Sequence, residues 1–251
     1  MKTVLITGAT SGIGKACAEM FAGKGEKLII TGRRLERLQE LSASLKSKFN
    51  SQVYILNFDV RNNEEVKKSI ESLPQDWKDI DILINNAGLA AGLDLIQDGN
   101  LDDWERMIDT NVKGLLYVSR IVLPKMKERN SGHVVNISSI AGKETYMKGN
   151  VYCATKHAVD SLSKAMRIDM LQFGVRVTAI SPGMVDTEFS LVRFAGDKQK
   201  ADEVYKGLIP LSPEDIADAV EYAVSRPAHV NINEILIMPT AQANTANIVR
   251  N

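Results

Sequence analysis

The chain has few of the residues that build metal sites and disulfide frameworks. Its 251 residues include only two cysteines and three histidines. Cys17 and Cys153 lack the paired spacing of a metal or redox motif, and the histidines, His133, His157 and His229, show no ligand spacing. We therefore interpret the cysteines as buried thiols in a reducing compartment and the histidines as structural. We expect no bound metal.

The sequence also lacks a net charge and a long apolar run. The 31 basic and 31 acidic side chains cancel, which argues against binding to nucleic acid or an anionic membrane. No window offers the roughly 20 apolar residues of a membrane-spanning helix, and the chain begins directly with a predicted strand rather than a secretory leader. We predict a cytoplasmic protein that acts on a small molecule.

Short runs of Val, Ile and Leu alternate instead with longer amphipathic stretches, a pattern typical of parallel strands joined by crossover helices. Strands are predicted over 3–7, 27–32, 52–60, 81–88, 133–138, 176–181 and 232–238, and helices over 13–22, 35–48, 64–73, 101–127, 151–173 and 213–225. The pattern predicts an α/β fold, a single-domain Rossmann-type doubly wound parallel sheet of seven strands flanked by helices, over residues 1–251. We place a lid at about 187–210. The polar tail, 239–251, is expected to be frayed or docked on another subunit.

A glycine-rich turn follows the first predicted strand and precedes a helix. A strand, a turn and a helix start in this order surround a pyrophosphate with backbone N–H groups and the positive end of a helix dipole. Glycines let the backbone turn tightly and approach the phosphates. The predicted contacts to a dinucleotide cofactor are Gly8, Thr10, Ser11, Gly12, Ile13 and Gly14.

Two arginines, Arg33 and Arg34, end the second strand at the place where an acidic residue would bind the adenosine ribose of NAD. Arginine there can meet the 2′-phosphate instead, so the sequence predicts NADP. Asp59 and Val60 close the third strand, where the carboxylate could meet the adenine amino group. Asp59 could equally be only a turn former.

Three residues form a candidate catalytic group. Tyr152 and Lys156 are four residues apart in a predicted helix and so share a face. A nearby ammonium lowers the pKa of a tyrosine, which is near 10 when unperturbed, so Tyr152 can act as the general acid or base of a carbonyl–alcohol reaction. Ser139, thirteen residues before Tyr152, can hydrogen-bond the substrate oxygen. The adjacent Ser138 is the weaker candidate.

In combination these motifs resemble the short-chain dehydrogenase/reductase family over essentially the whole chain. The matching segments are TGATSGIG at Thr7, NNAG at Asn85, Asn111 with Gly114, Ser138-Ser139 with Gly142, YxxxK at Tyr152, and Pro182-Gly183 with Thr187. The resemblance implies the strand order 3-2-1-4-5-6-7 and a homotetramer.

The family resemblance also implies roles for single residues. Asn111 would hold a water that relays protons toward Lys156, and Lys156 would also contact the nicotinamide ribose. Further cofactor contacts implied in the same way are Asn85, Ala87 and Gly88 on the adenosine side, and Pro182, Gly183, Val185 and Thr187 at the nicotinamide.

Other segments resemble the bacterial NADP-dependent 3-hydroxy acid dehydrogenases more closely. They are NNAGLAAG at Asn85, DWERMIDTN at Asp103, GNVYCATKHAV at Gly149, TEFSLVRF at Thr187 and PAHVNIN at Pro227, whereas the segment 184–187 is shorter than in those enzymes. The resemblance implies substrates such as serine, allo-threonine and 3-hydroxypropionate. Their carboxylate needs a cationic partner, and we assign Arg193 in the lid to that role; an exposed lid arginine is the alternative.

Two other functions are compatible with the same motifs. One is the reduction of another carbonyl, such as a 3-ketoacyl group, a sugar or a diketone. The other is a non-catalytic NADP sensor, which the intact Ser139, Tyr152 and Lys156 disfavour because a pure binding protein does not need all three.

Overall fold

Seven parallel strands form a single sheet. A computed structural model describes residues 1–251, and its strands are β1 (Thr3–Ile6), β2 (Lys27–Gly32), β3 (Val53–Asn57), β4 (Ile82–Asn85), β5 (Gly132–Ile137), β6 (Val175–Pro182) and β7 (Glu234–Ile237). They lie in the order β3-β2-β1-β4-β5-β6-β7, and every pairing is parallel. The predicted fold class and the strand order implied by the family resemblance are confirmed.

Two predicted strands, β3 and β4, end earlier than expected. Phe58 to Val60 and Asn86 to Gly88 leave the sheet and line a cleft at its carboxyl edge. Phe58, Val60 and Ala87 are apolar like the strands before them, so their sequence does not distinguish a strand residue from a cleft residue.

Nine α-helices accompany the sheet. They are α1 (Gly12–Gly23), α2 (Leu35–Phe49), α3 (Asn63–Glu71), α4 (Leu101–Ile108), α5 (Leu115–Glu128), α6 (Asn150–Asp169), α7 (Phe189–Arg193), α8 (Lys198–Glu203) and α9 (Pro213–Val224). The short helices α7 and α8 fall within the predicted lid. None of the helices is long and apolar enough to cross a membrane.

The single helix predicted over 101–127 is wrong. A π-helical segment, Asp109–Gly114, separates α4 from α5. Its Asn111 side chain bonds to the backbone of Leu89 and to Thr155, and Gly114 packs so closely on Val60 that a Cβ would come within 2.8 Å of that side chain. These tertiary contacts favour the wider turn, which hydrophobic periodicity does not reveal.

The core consists of two apolar layers, one on each face of the sheet. Val4 and Ile6 of β1 belong to the layer shared with α1, α2 and α9, while Leu5 between them belongs to the layer shared with α3, α5 and α6. Successive strand residues point to opposite faces, so both faces of β1 are covered. Burial on both sides explains why the strands are continuous apolar runs.

The polar tail packs on its own chain, which neither of the two expectations for it included. The side chain of Gln242 is buried and accepts a hydrogen bond from the Met184 backbone at 2.9 Å. Thr245 donates to Glu144, and Arg250 donates to the backbone carbonyl of Lys206 at 2.6 Å. The tail therefore joins the segment after β6, the loop after β5 and the lid.

Candidate active site

The carboxyl ends of the strands open into a cleft of about 320 Å³. Ligands of open α/β sheets bind at this edge, where the strand order reverses. Most residues predicted for cofactor or catalysis line the cleft: Gly8, Thr10, Ser11, Gly12, Ile13, Arg33, Arg34, Asp59, Val60, Ala87, Gly88, Ser139, Tyr152, Lys156, Pro182, Gly183, Val185 and Thr187. Four do not, namely Gly14, Asn85, Asn111 and Arg193.

The glycine turn is shaped as a cradle for an anion. Gly8 and Gly12 have φ values of +67° and +52°. Residues other than glycine rarely adopt this backbone conformation. Gly14 lies under the turn, where a Cβ would come within 2.4 Å of the Gly8 carbonyl oxygen. Ser11 caps α1 without a side-chain hydrogen bond, which leaves the first N–H groups of the helix for a ligand. The turn therefore fits a dinucleotide pyrophosphate.

Arg34 lies beside this turn at the exposed end of the cleft. It donates to the Thr10 hydroxyl at 2.8 Å and to the Ser11 hydroxyl at 2.9 Å. It also pairs with Glu188 of the lid at 2.9 Å, and Arg37 pairs with the same carboxylate. A guanidinium next to the phosphate turn is a suitable partner for a further phosphate group.

The carboxylate of Asp59 is already paired with arginines of the protein. Its carboxylate accepts from Arg61 at 2.6 and 2.9 Å and lies 3.8 Å from Arg33. Burial acts to raise the pKa of Asp59, but the hydrogen bonds and charge of Arg61, with the charge of Arg33, lower it overall. The expected contact of this carboxylate with adenine therefore competes with an existing ion pair.

Tyr152, Ser139 and Lys156 meet at the inner end of the cleft. Tyr152 and Lys156 lie on α6 and are 8% and 6% exposed. Lys156 Nζ donates to the Ile137 carbonyl at 3.0 Å and lies 6.0 Å from the centre of the Tyr152 ring. The Ser139 hydroxyl caps the turn after β5 by accepting from Ala141 N–H. The neighbouring Ser138 is buried, and its hydroxyl is directed to the Lys156 carbonyl.

The pKa of Tyr152 is shifted opposite to the expected direction. Burial raises it well above its usual value, while the charge of Arg193 and the Ser139 hydroxyl act against the rise. Burial also lowers the pKa of Lys156 to about 8. The prediction that Lys156 lowers the Tyr152 pKa is wrong, because desolvation outweighs the groups that lower this pKa, and Lys156 is not one of them.

Asn85 and Asn111 lie behind the cleft rather than in it. The Asn85 amide donates to Ser119 and Asn136 between β4, β5 and α5. The Asn111 amide is paired with both the N–H and the carbonyl of Leu89, at 2.8 Å each. The Asn111 side chain holds the segment after β4 in place, whereas the Asn85 side chain joins β4 to α5 and β5. The family resemblance implied that these residues lie near the site, but it did not give the direction of their side chains.

Arg193, at the end of α7, contacts Tyr152. Its guanidinium carbon lies 5.0 Å from the centre of the Tyr152 ring. Arg193 does not line the main cleft; it and Tyr152 border a second, small cavity that is also lined by Asp94, Asp103 and Trp104. The Gly92 N–H donates to the Arg193 carbonyl at 3.2 Å, which fixes the lid to the segment after β4.

Several residues of the cleft were not predicted individually, and Asn86 was included only as part of the segment 85–88 that the family resemblance implied. Asn86 donates to the carbonyls of Thr7 and Gly8 and so holds the phosphate turn. Thr110 lines the cleft with a buried hydroxyl that has no partner in the protein. The signal for Asn86 was present, because it is the second asparagine of NNAG. Thr110 and Glu188 carry no motif signal of their own. They are only the sequence neighbours of Asn111 and Thr187, which were predicted.

Comparison with known proteins yields one consistent family. The short chain dehydrogenase family model matches residues 2–197. The NADP-dependent 3-hydroxy acid dehydrogenase of Escherichia coli K12 is 49% identical over 241 residues, 96% of each chain. The serine 3-dehydrogenase of Rhizobium radiobacter is 46% identical, over 96% of this chain and 95% of its own. A solved closed form of serine dehydrogenase complexed with NADP⁺ superposes with a TM-score of 0.93 at 48% identity, covering 99% of both chains.

Proposed function

This chain belongs to the short-chain dehydrogenase family, and we propose that it transfers hydride between NADP and a 3-hydroxy acid or its carbonyl form. The observation that carries the proposal is the meeting of Ser139, Tyr152 and Lys156 at the inner end of a cleft whose outer end has a phosphate cradle. Relatives named for 3-hydroxy acid and serine dehydrogenation support it.

The protein orients the substrate and moves a proton. When bound, the nicotinamide exchanges a hydride with the carbinol carbon of the substrate. The Tyr152 hydroxyl donates a proton to the substrate oxygen in reduction and, as phenolate, accepts one in oxidation. Ser139 would hydrogen-bond the same oxygen, and Lys156 would contact the ribose of a bound nicotinamide. Burial excludes water from this proton transfer.

We infer NADP rather than NAD from the outer end of the cleft. Arg33 and Arg34 line it, and no acidic residue occupies the end of β2. The guanidinium of Arg34 already lies beside the phosphate turn. A 2′-phosphate can replace Glu188 as its acceptor, with Arg33 as a second donor.

The substrate assignment rests on Arg193. Its Nε is buried without an acceptor in the chain, and a buried unpaired donor costs free energy. A substrate carboxylate beside Tyr152 would supply that acceptor, whereas an uncharged alcohol would not. We therefore propose that Arg193 binds the carboxylate of the 3-hydroxy acid.

The test is nicotinamide absorbance with purified protein, NADP⁺ or NAD⁺, and a panel of L-serine, L-allo-threonine, 3-hydroxypropionate and simple secondary alcohols. We expect turnover of the hydroxy acids with NADP⁺ and much less with NAD⁺. Activity confined to the uncharged alcohols would remove the acid assignment but leave the oxidoreductase. Retained NADP binding without turnover of any compound would contradict the proposed reaction.

A cytoplasmic location and a homotetrameric assembly stay predictions. Light scattering of the purified protein measures the assembly directly, with four times the mass of one chain as the expected result.

A further inference from the structure

The loop between Ser139 and Tyr152 contributes a side chain that the proposed reaction leaves without a role. Tyr146 lies in this loop and is partly buried. Its hydroxyl accepts a hydrogen bond from Arg193 Nη2 at 2.7 Å. This is the only hydrogen bond that the Arg193 guanidinium makes within the chain.

The remaining surroundings of the guanidinium are aromatic rings. Its central carbon lies 5.0 Å from the ring centre of Tyr152, 5.3 Å from that of Phe189 and 5.9 Å from that of Tyr146. Aromatic faces attract a cation, but they do not fix how the guanidinium is rotated above the ring. The directional constraint on Arg193 therefore comes from the Tyr146 hydroxyl.

Two contacts with Gly149 hold Tyr146 in place. Its carbonyl accepts from the Gly149 N–H at 3.0 Å. Its ring lies so close to Gly149 that a Cβ there would come within 2.5 Å of the ring. The turn 146–149 leads directly into α6, which carries Tyr152, so Tyr146 lies one short turn away from the start of that helix.

Tyr146 lines neither the main cleft nor the small cavity, so its effect on a substrate passes through Arg193. We infer that Tyr146 is a positioning residue that sets the acid specificity by orienting the Arg193 guanidinium toward the substrate carboxylate. This inference rests on the proposed function, because it concerns how the same carboxylate is recognised. Loss of the Tyr146 hydroxyl would leave the positive charge of Arg193 in place but remove the hydrogen bond that orients its guanidinium.

The test compares two substrates that differ in charge, 3-hydroxypropionate and its methyl ester, with NADP⁺ as oxidant. We expect Tyr146→Phe to lower the acid-to-ester ratio of kcat/KM about tenfold, the loss expected for one hydrogen bond to a charged group. The change should lie in the KM of the acid rather than in kcat. The matched control is Tyr205→Phe, since the Tyr205 hydroxyl also anchors the lid but bonds to Ser190 and Val185.

Combining Tyr146→Phe with Arg193→Met separates a positioning role of Tyr146 from a general effect on folding. If Tyr146 acts through Arg193, adding Tyr146→Phe to Arg193→Met lowers the ratio no further. A further loss, an equal loss on acid and ester, or the same loss in Tyr205→Phe would overturn the inference while leaving the proposed function. A wild-type protein without preference for the acid over the ester would overturn the assignment of Arg193 and this inference together.

Discussion

The two ends of the cleft use charge in different ways. At the outer end the side chains of Arg33 and Arg34 are 57% and 43% exposed, so their ion pairs are accessible to solvent. At the inner end Tyr152 and Lys156 are less than a tenth exposed, and burial shifts the pKa of both. Exposed charges exchange partners cheaply, which suits cofactor binding and release. Burial keeps the Tyr152 hydroxyl protonated and disfavours the charged form of Lys156, so the inner end holds a proton donor away from water.

The largest effect should come from the buried end. Tyr152→Phe removes the proton donor, so we expect turnover of 3-hydroxypropionate to fall by roughly 10²- to 10⁴-fold. The dissociation constant for NADP⁺, measured by calorimetry, should change little because the outer end is intact. Tyr222→Phe, on the exposed face of α9, is the control. Undiminished turnover in Tyr152→Phe would refute the acid/base role.

The buried ammonium should make stability depend on pH. Burial lowers the Lys156 pKa from 10.5 to about 8, so between these pH values the unfolded chain binds more protons than the folded chain. The free energy of unfolding then rises with pH across this window, by on the order of 3 kcal/mol for the whole shift.

Urea midpoints of wild-type and Lys156→Met protein at pH 7 and pH 9.5 measure this dependence. The wild-type protein should gain stability relative to the variant at the higher pH, because the variant has no ammonium to deprotonate. Identical pH dependence in the two proteins would mean that Lys156 is not desolvated as described.

Arg193 lies beside the buried end, in contact with Tyr152. Arg193→Met should lower kcat/KM for 3-hydroxypropionate by about one to two orders of magnitude, the range for a lost charge-assisted interaction. The methyl ester should be affected much less. Arg226→Met, a surface arginine stacked on Tyr222, controls for loss of an exposed charge. Equal losses on the acid and the ester would contradict the carboxylate assignment.

The smallest effect is expected at the exposed end. Arg34→Ala should weaken NADP⁺ binding about tenfold with little change for NAD⁺, and the difference should shrink as salt is raised because the site is screened. Arg37→Ala is the matched control, since Arg37 shares Glu188 with Arg34 but does not line the cleft. Salt-independent binding, or equal losses for both cofactors, would contradict a 2′-phosphate contact.

Local patterns predicted the elements better than the directions of side chains. The seven strands and the start of α1 follow from apolar runs and glycines, which are local signals. The break between α4 and α5 does not, because Asn111 adopts its π-helical position through bonds to Leu89 and Thr155. Asn85 likewise sits in a recognisable motif yet points into the core. Side-chain direction depends on partners that are distant in the chain.

The sequence by itself determined the sheet, the phosphate turn and the presence of Ser139, Tyr152 and Lys156 in one spacing. These depend on periodicity, glycine conformations and helix geometry, which neighbouring residues fix. Only the tertiary structure decided which cation faces Tyr152. Lys156, four residues away, donates to Ile137, while Arg193, forty-one residues away, stacks on the ring and is held by Tyr146. Burial, which no local pattern measures, then set the direction of the pKa shifts.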